Sequence, residues 1–542
     1  MMFAITKSFI AKNKFTRLLT NKYFILSFIL AIGVFLRFYH LTGKSLWYDE
    51  ACSLNLAAYN WMDIFFSHNV ITHIPRPFYF ILLKLWVGLF GYTEIAVRSL
   101  SVIFGILSII LIYKLARILF GVSAGLISAF ILSISPYNIY YSQQVRYYTL
   151  FLFLCLLSMV IFVKLIRNNN LSLRVMYILT NILILYTLPV GVYILVLQNI
   201  LFLVFKNKIK QIRYWLNMQI IMCVVFASLL LLPFIYVNHS FNNYDDEKFT
   251  AGKPSFSSFI ETFDTFSYGG SRQGHAGVGF EIESSRLKTP RLLTFLFCLI
   301  FILSLTYREK KSSQDVDVFN HRDKILLLWL WLFITLFGFY LFSILFWPIF
   351  STRYFIAVAP AFYIVIGYSI SKMRAIKPVL ISAIVILSFF SLNILYHPGS
   401  SNDWRNVADY LKSHIRKNDV IVFAPIMQII PFWYYYKYDQ VGNFNNNIDN
   451  YGEKFYHRKN CNISYDSNTI IGFGLKEDRD YINKELLPLS NSKANIWLVM
   501  SPYWIGKNQS EFIKGLLKSG RSIKYSKYFE YDGVEAIYYS FD

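Results

Sequence analysis

The stretch Leu36–Ser53, LRFYHLTGKSLWYDEACS, decides the fold. It begins inside an apolar run and ends on two adjacent acids, Asp49 and Glu50, preceded by Arg37, His40, Trp47 and Tyr48. An apolar helix that empties into aromatic and charged residues has reached a membrane–water interface, where Trp and Tyr rings are favoured. Acids at such a boundary read either as solvated loop carboxylates or as groups kept for chemistry. The pair alone leaves both readings of Asp49 and Glu50 open.

Composition extends the membrane reading to most of the chain. Of 542 residues, 56% are hydrophobic and only 15% charged, against about 25% charged in soluble domains. The apolar excess falls in blocks of about 20 residues, the length that crosses a bilayer core. A net charge of +22 would suggest nucleic acid in a soluble chain. Here most of the Lys and Arg before the C-terminal region lie between apolar blocks. That assigns them to loop topology and anionic membrane lipids, and no nucleic-acid partner is expected. The Cys residues, at 52, 155, 223, 298 and 461, have neither metal-ligand spacing nor a disulfide framework.

Charge sets the topology. Residues 1–22 carry Lys7, Lys12, Lys14, Arg17 and Lys22 without an acid, so they are expected on the cytoplasmic side, leading into a retained first span (Tyr23–Leu41). Residues 42–93 then form a first outer loop. Its apolar piece FYFILLKLWVGLFG is short for a span and reads as an interfacial helix. Further spans are expected at Glu94–Tyr113, Val122–Tyr141, a fourth returning to Lys164 and Arg167, Val175–Thr187, Val190–Phe205, Leu216–Tyr236, Leu292–Tyr307, Ile325–Trp347, a tenth returning to Lys372, and Pro378–Tyr396. The total is about 11, with Pro189 leaving room for 11–13, and each loop assigned to the cytoplasm is rich in Lys and Arg.

The expected fold is a polytopic α-helical membrane domain, 1–396, followed by an extracytoplasmic α/β domain, 397–542. A large outer loop, 237–291, is Gly-rich over Tyr268–Phe280 and reads as a lid or a connector. In the C-terminal region, Asn402 or Asp403 caps a helix WRNVADYLKSHIRK. The strand DVIVFAP, a helical stretch IMQIIPFWYYYKY interrupted at Pro431, the strand NIWLVMS, the helix SEFIKGLLKSG and two last strands around IKYSKYFEY and VEAIYYSF complete it.

With this topology the outer side gathers Asp49 and Glu50, the segment His73–Tyr79 (HIPRPFY), Glu94 and Arg98, Arg146-Tyr147-Tyr148, and Arg353-Tyr354. Arginine forks match phosphate oxygens, and a carboxylate can take a proton from an incoming hydroxyl. Singly, each arginine also reads as a snorkelling cation and His73 as an interface histidine. Together they fit a reaction on an anionic lipid headgroup. No Gly-rich nucleotide loop is present, so the donor expected is lipid-linked.

The pieces LRFYHLTGKSLWYDEACS, HIPRPFYFILLKLWVGLFGYTEIAVRSLSVIFG and YYSQQVRYYTLFLFLCLLS, with the later STRYFIAVAP and DWRNVADYL, resemble glycosyltransferase family 39, which includes protein O-mannosyltransferases and the lipid A aminoarabinose transferase. The resemblance implies a GT-C fold. It implies a donor sugar on a polyprenyl monophosphate and transfer with inversion on the outer face. By motif, Asp49 takes the place of the catalytic acid and general base, with Glu50 beside it. His73, Arg76 and Tyr79 fall in the segment lining the donor site, and Arg98, Arg146, Tyr147, Arg353 and Tyr354 become candidates for phosphate or sugar contact. No cofactor is required; a divalent metal at His73, His239 or His275 is the alternative. The acceptor is a protein, lipid or glycan.

The chain departs from the family pattern at Arg76, an added base within the usual H-x-P-L-Y-Y, and at Thr187-Leu188-Pro189, where many members carry Thr-His-Tyr. A rival reading is a lipid or polyanion transporter. Transporters usually hold charges at the midplane of repeated halves, whereas these charges gather at span ends.

Overall fold

The computed structural model describes residues 21–61, 64, 77–206, 212–236, 253–271, 280–281, 288–304, 318–346, 349–397, 403–424, 428–436, 461–465, 468–472, 486, 495–500, 507–518, 522–529 and 534–540. Helices occupy every expected span position. They are α1 (Lys22–Phe38), α4 (Glu94–Phe120), α5 (Val122–Ile134) with α6 (Pro136–Ser142), α7 (Tyr148–Arg167), α8 (Leu171–Thr187), α9 (Val192–Val204), α10 (Ile212–Tyr236), α12 (Lys288–Leu303), α13 (His321–Leu345), α14 (Ala359–Lys372) and α15 (Lys377–Tyr396). Among the described residues four of these, α4, α7, α13 and α15, are long and apolar enough to cross a membrane, or five if the bent pair α5–α6 is one span. The first outer loop holds two more helices, α2 (Tyr48–Ala58) and α3 (Pro77–Phe90).

The chain divides into two compact units, and they do not follow the expected division into 1–396 and 397–542. One unit holds 1–41, 76–79 and 98–398; the other joins 42–75 and 80–97 to 399–542. Most of the first outer loop, 42–75 and 80–93, is therefore grouped with the C-terminal region. The physical cause is packing of α17 (Ile429–Tyr436) on α2, with hydrogen bonds described below.

In the first unit α14 is the central helix. Every residue from Ala359 to Ile370 is buried, as expected of a helix apolar on all sides. It packs on α5 across Gly367, where a Cβ would lie 2.9 Å from the Ser128 backbone nitrogen. The outward faces of α13 and α15 expose large apolar side chains such as Leu345 and Phe389, both 67% exposed. Such faces suit lipid contact, since soluble monomers rarely expose contiguous apolar surface.

The expected span Val122–Tyr141 is broken. Its two helices meet at 59° at Ser135, whose hydroxyl caps α6 by accepting from the Asn138 N–H. Pro136 has no N–H, so the Leu132 carbonyl loses its helical donor. Arg37, fully buried, replaces it. Its Nη2 donates to Leu132 O at 3.2 Å, Nη1 to Ser133 O at 3.0 Å and to Gly33 O at 3.2 Å, and Nε to Ser142 Oγ at 3.2 Å. Gly105 makes the room: a Cβ there would fall 3.0 Å from Arg37 Nε. Arg37→Leu is expected to leave these carbonyls without a donor, at about 1–3 kcal/mol for each unmet group. Arg37→Lys should recover part of the loss, since one ammonium cannot reproduce the fork. Thermal unfolding in detergent checks this. An Arg37→Leu variant as stable as wild type overturns it.

In the first unit two short strands, β1 (Gly270–Ser271) and β2 (Phe280–Glu281), pair in parallel. The second unit is built on six strands, β3 (Val420–Ala424), β4 (Cys461–Tyr465), β5 (Asn468–Gly472), β6 (Ile496–Met500), β7 (Ser522–Phe529) and β8 (Val534–Ser540). They form one sheet in the order β4-β5-β3-β6-β8-β7, with β5, β3 and β6 parallel and the flanking pairs antiparallel. Strands β3 and β6 are buried along their whole length, which accounts for their continuous apolar runs. Alternate residues serve the two faces. Val420, Val422, Leu498 and Met500 pack with Ile513 and Leu517 of α18 (Lys507–Lys518). On the other face Trp497 meets Tyr410 of α16 (Trp404–His414), and Phe423 meets Phe432 of α17. Pro431 does not interrupt α17. It lies in the first turn, where a missing N–H removes no helical bond. The hairpin β4–β5 was not anticipated from the sequence.

Asp419 opens β3 and accepts the Arg416 N–H at 2.9 Å and the Trp497 indole N–H at 3.2 Å. Burial raises its carboxyl above the usual carboxylate range; those two donors, Asn495 and the Arg416 charge oppose the rise. The folded state thus favours the protonated acid. Its contribution is fully present below the unfolded pKa, about 3.9, and is lost as pH rises through the folded value. Asp419→Asn is expected to raise the unfolding temperature more at pH 7 than at pH 4, because it removes that loss. A larger gain at the lower pH would contradict this.

Candidate active site

In the second unit Asp49 and Glu50 stand on the first turn of α2, where a helix N-terminus favours negative charge. They are therefore not loop acids. Their surroundings differ. Glu50 is 1% exposed and accepts the Trp47 backbone N–H at 3.4 Å, closing its own helix start. Asp49 is half-buried, and its carbonyl accepts the Ser53 hydroxyl at 2.8 Å. The buried Trp47 indole N–H has no acceptor among the described residues. At the far end of α2, Lys84 of α3 donates to the carbonyls of Ala57, Ala58 and Tyr59 at 3.3, 3.4 and 2.5 Å. A cation there completes the C-terminal end of the helix.

In the first unit the arginines and tyrosines converge. The segment Ser142–Thr149, SQQVRYYT, turns α6 into α7, and the segment Ser351–Tyr354, STRY, begins the 3-10 turn Thr352–Ala357 that packs on α7. Tyr137 of α6 donates to Thr352 O at 2.6 Å, and Tyr193 of α9 donates to Tyr354 O at 3.2 Å. The Arg146 guanidinium lies 4.9 Å from the Tyr147 ring and 5.8 Å from the Tyr148 ring, and Arg353 lies 5.1 Å from the Tyr354 ring. The two segments meet at α7, which follows Tyr147 directly and on which the 3-10 turn packs. Tyr79 shares a 3.5 Å hydrogen bond with Ser101, whose hydroxyl donates to Arg146 O at 3.2 Å, and its ring meets Tyr147 edge-on at 6.2 Å. Tyr79, Arg146, Tyr147, Arg353 and Tyr354 thus form one cluster.

The same two segments bring buried polar groups that sequence reasoning missed. Gln144 Oε1, Thr149 Oγ1, Ser351 Oγ and Thr352 Oγ1 have no partner among the described residues. Unmet buried polar atoms are costly. They flank Arg146 and Arg353 in the chain, within the same two segments. The signal for them lay in the polar runs SQQ and ST at apolar helix ends.

Other expected site residues are placed differently. Arg98 is buried and donates to Leu41 O at 2.6 Å, so it ties α4 to the chain after α1. Glu94 accepts Arg405 at 2.6 Å and the Tyr435 hydroxyl. Burial would lower the Arg405 guanidinium, but Glu94 and Tyr435 raise it above its ordinary value. His73 and Arg76 lie outside the described residues, as do His239 and His275. Among the described residues no group of three His, Cys, Asp or Glu is arranged to hold a metal. Of the segment 237–291, expected as a lid or a connector, the described part is chiefly α11 (Ser257–Tyr268). Its buried Asp264 is raised by burial, with Thr294, Arg291 and Tyr268 opposing.

Residues 73–236 match the family model described as dolichyl-phosphate-mannose-protein mannosyltransferase. No curated protein sequence matches the chain. Among solved structures, ArnT from Cupriavidus metallidurans is similar both bound to undecaprenyl phosphate (TM-score 0.58) and in the apo state (TM-score 0.59), at 13% identity over 94% of this chain and 97% of that one. The Archaeoglobus fulgidus oligosaccharyltransferase in its apo form is similar with a TM-score of 0.50, at 12% identity over 94% of this chain and 73% of that one. The resemblance read from the motifs stands: the chain shares the fold of these two structures, and residues 73–236 match the mannosyltransferase family model.

Proposed function

We propose that this protein is a membrane glycosyltransferase that moves a sugar from a polyprenyl monophosphate to an acceptor on the outer face of the membrane. The observation that carries the reading is the Arg146–Arg353 cluster with its unmet buried polar groups. It supplies charge for a phosphate and hydrogen bonds for sugar hydroxyls. The ArnT structure, of the same fold, is solved with undecaprenyl phosphate, which supports a lipid phosphate as the ligand class.

In this mechanism the acceptor oxygen attacks the anomeric carbon from the face opposite the phosphate, with inversion. As that bond forms, the bond from carbon to phosphate oxygen breaks, and its electron pair leaves on the lipid phosphate. Asp49 takes the acceptor proton. The donor is a phosphodiester with one negative charge, and the leaving monoester gains a second. Arg146 and Arg353 therefore stabilise the transition state more than the bound donor. Glu50 holds the start of the helix that carries Asp49.

The test uses labelled sugar on undecaprenyl or dolichyl phosphate, incubated with membranes containing the chain. Label should pass to a protein, lipid or glycan of the cell envelope. Movement of lipid or polyanion across sealed vesicles with no sugar transferred would overturn the reading in favour of a transporter.

A further inference from the structure

The segment Thr42–Trp47, which leads into α2, is fastened by residues of the C-terminal region. Arg405 Nη2 donates to Thr42 O at 3.1 Å, the Trp404 N–H donates to Ser45 Oγ at 2.9 Å, and the Leu46 N–H donates to the Tyr435 hydroxyl at 2.6 Å. The Tyr435 oxygen already accepts from Leu46, so its single proton is directed to Glu94. Glu94 in turn is gripped by Arg405, 2.6 Å from both carboxylate oxygens. The carboxylate is 11% exposed and the guanidinium 42%, so this pair is partly shielded from the screening that weakens surface ion pairs. Tyr434 adds a bond to the Tyr92 carbonyl, just before Glu94.

These contacts all belong to the second unit, and those to Thr42, Ser45 and Leu46 fall three to seven residues before Asp49. Leu46 is the last residue before the Trp47 cap of α2, so fixing its N–H fixes where the helix begins. Asp49 then follows on the first turn. A proton acceptor must sit within hydrogen-bond reach of its proton, so small errors in the start of α2 are amplified at the carboxylate.

We infer that the C-terminal region is a positioning element for catalysis: Arg405 and Tyr435, joined through Glu94, hold the loop that sets the Asp49 helix. This rests on the reading of Asp49 as the base. Arg405 and Tyr435 are positioning residues.

The test uses the full chain in detergent, with donor kinetics and amide hydrogen exchange measured on the same samples. Tyr435→Phe removes one hydroxyl and keeps the ring. It should lower kcat about 10-fold, and Arg405→Ala on the order of 10²-fold, with donor KM little changed. Arg405→Lys should restore part of the loss. Exchange should accelerate over 48–58 while the strands 420–424 and 496–500 keep wild-type protection, which separates a local loosening from general unfolding.

Wild-type kcat and wild-type exchange over 48–58 in both Tyr435→Phe and Arg405→Ala would overturn the inference. So would equal loosening of the strands, which marks a merely structural role. An Asp49→Asn control separates the two readings. If that variant keeps wild-type kcat, the base assignment fails, and the exchange data alone decide whether the clamp holds the helix.

Discussion

Asn in place of Asp49 is expected to lower kcat for sugar transfer by about 10²–10⁴, the range that a positioned general base supplies. The substitution keeps the size and helix position of the side chain, and its backbone carbonyl still accepts from Ser53. Expression and unfolding temperature should therefore stay close to wild type. Donor KM should change little, because in the proposed mechanism the carboxylate meets the acceptor and not the lipid phosphate. Glu50→Gln offers the contrast. Glu50 is buried and bonded to the Trp47 N–H, so its loss should show first in stability and only secondarily in rate. Full activity of Asp49→Asn, at matched protein amounts, would sink the assignment.

Arg353→Gln is expected to lower kcat/KM for the lipid-linked donor by about 10²-fold, comparable to removing one donor from an oxyanion site. The loss should fall mainly on kcat, since the second phosphate charge develops only as the sugar departs. Product inhibition by free polyprenyl phosphate, which carries that charge, should weaken in parallel. Arg146 and Arg353 would serve the same phosphate, and groups that share a partner are not additive. The double variant with Arg146→Gln should therefore lose less than the product of the two single effects. Unchanged donor kinetics in both single variants would remove the phosphate role from this cluster.

Much of the fold was legible because bilayer length and loop charge are properties of local sequence. Each expected span meets a helix, from Lys22–Phe38 to Lys377–Tyr396. The break at Ser135 was missed because Val122–Tyr141 carries no charged residue; only the proline marked it, and Pro136 suits the first turn of a new helix. In the C-terminal region the strands VIVFA and IWLVM were readable as buried apolar runs. The hairpin Cys461–Tyr465 with Asn468–Gly472 was not, since its residues are mixed in polarity.

The candidate site divides the same way. Arg146, Tyr147, Arg353 and Tyr354 were visible as charged or aromatic residues at span ends. Gln144, Thr149, Ser351 and Thr352 were not, as a neutral polar residue acquires meaning only when burial leaves it without a partner. Arg37 was visible in the opening stretch, but its use as a substitute donor for a proline-broken helix depends on residues about a hundred positions away.

By itself the sequence determined that this is a membrane protein and where its helices run, and it singled out Asp49 and Glu50 as candidates. These follow from hydropathy, charge and motif, which are read residue by residue. Tertiary structure decided that the two acids lie on a helix and not in a loop. It also decided that the start of α4, just after the first outer loop, is joined to the C-terminal region through Glu94, Arg405 and Tyr435. Those residues are about 310 to 340 positions apart. Hydrogen bonds and ion pairs act over a few ångströms of space, so a linear reading cannot tell which distant side chains will meet.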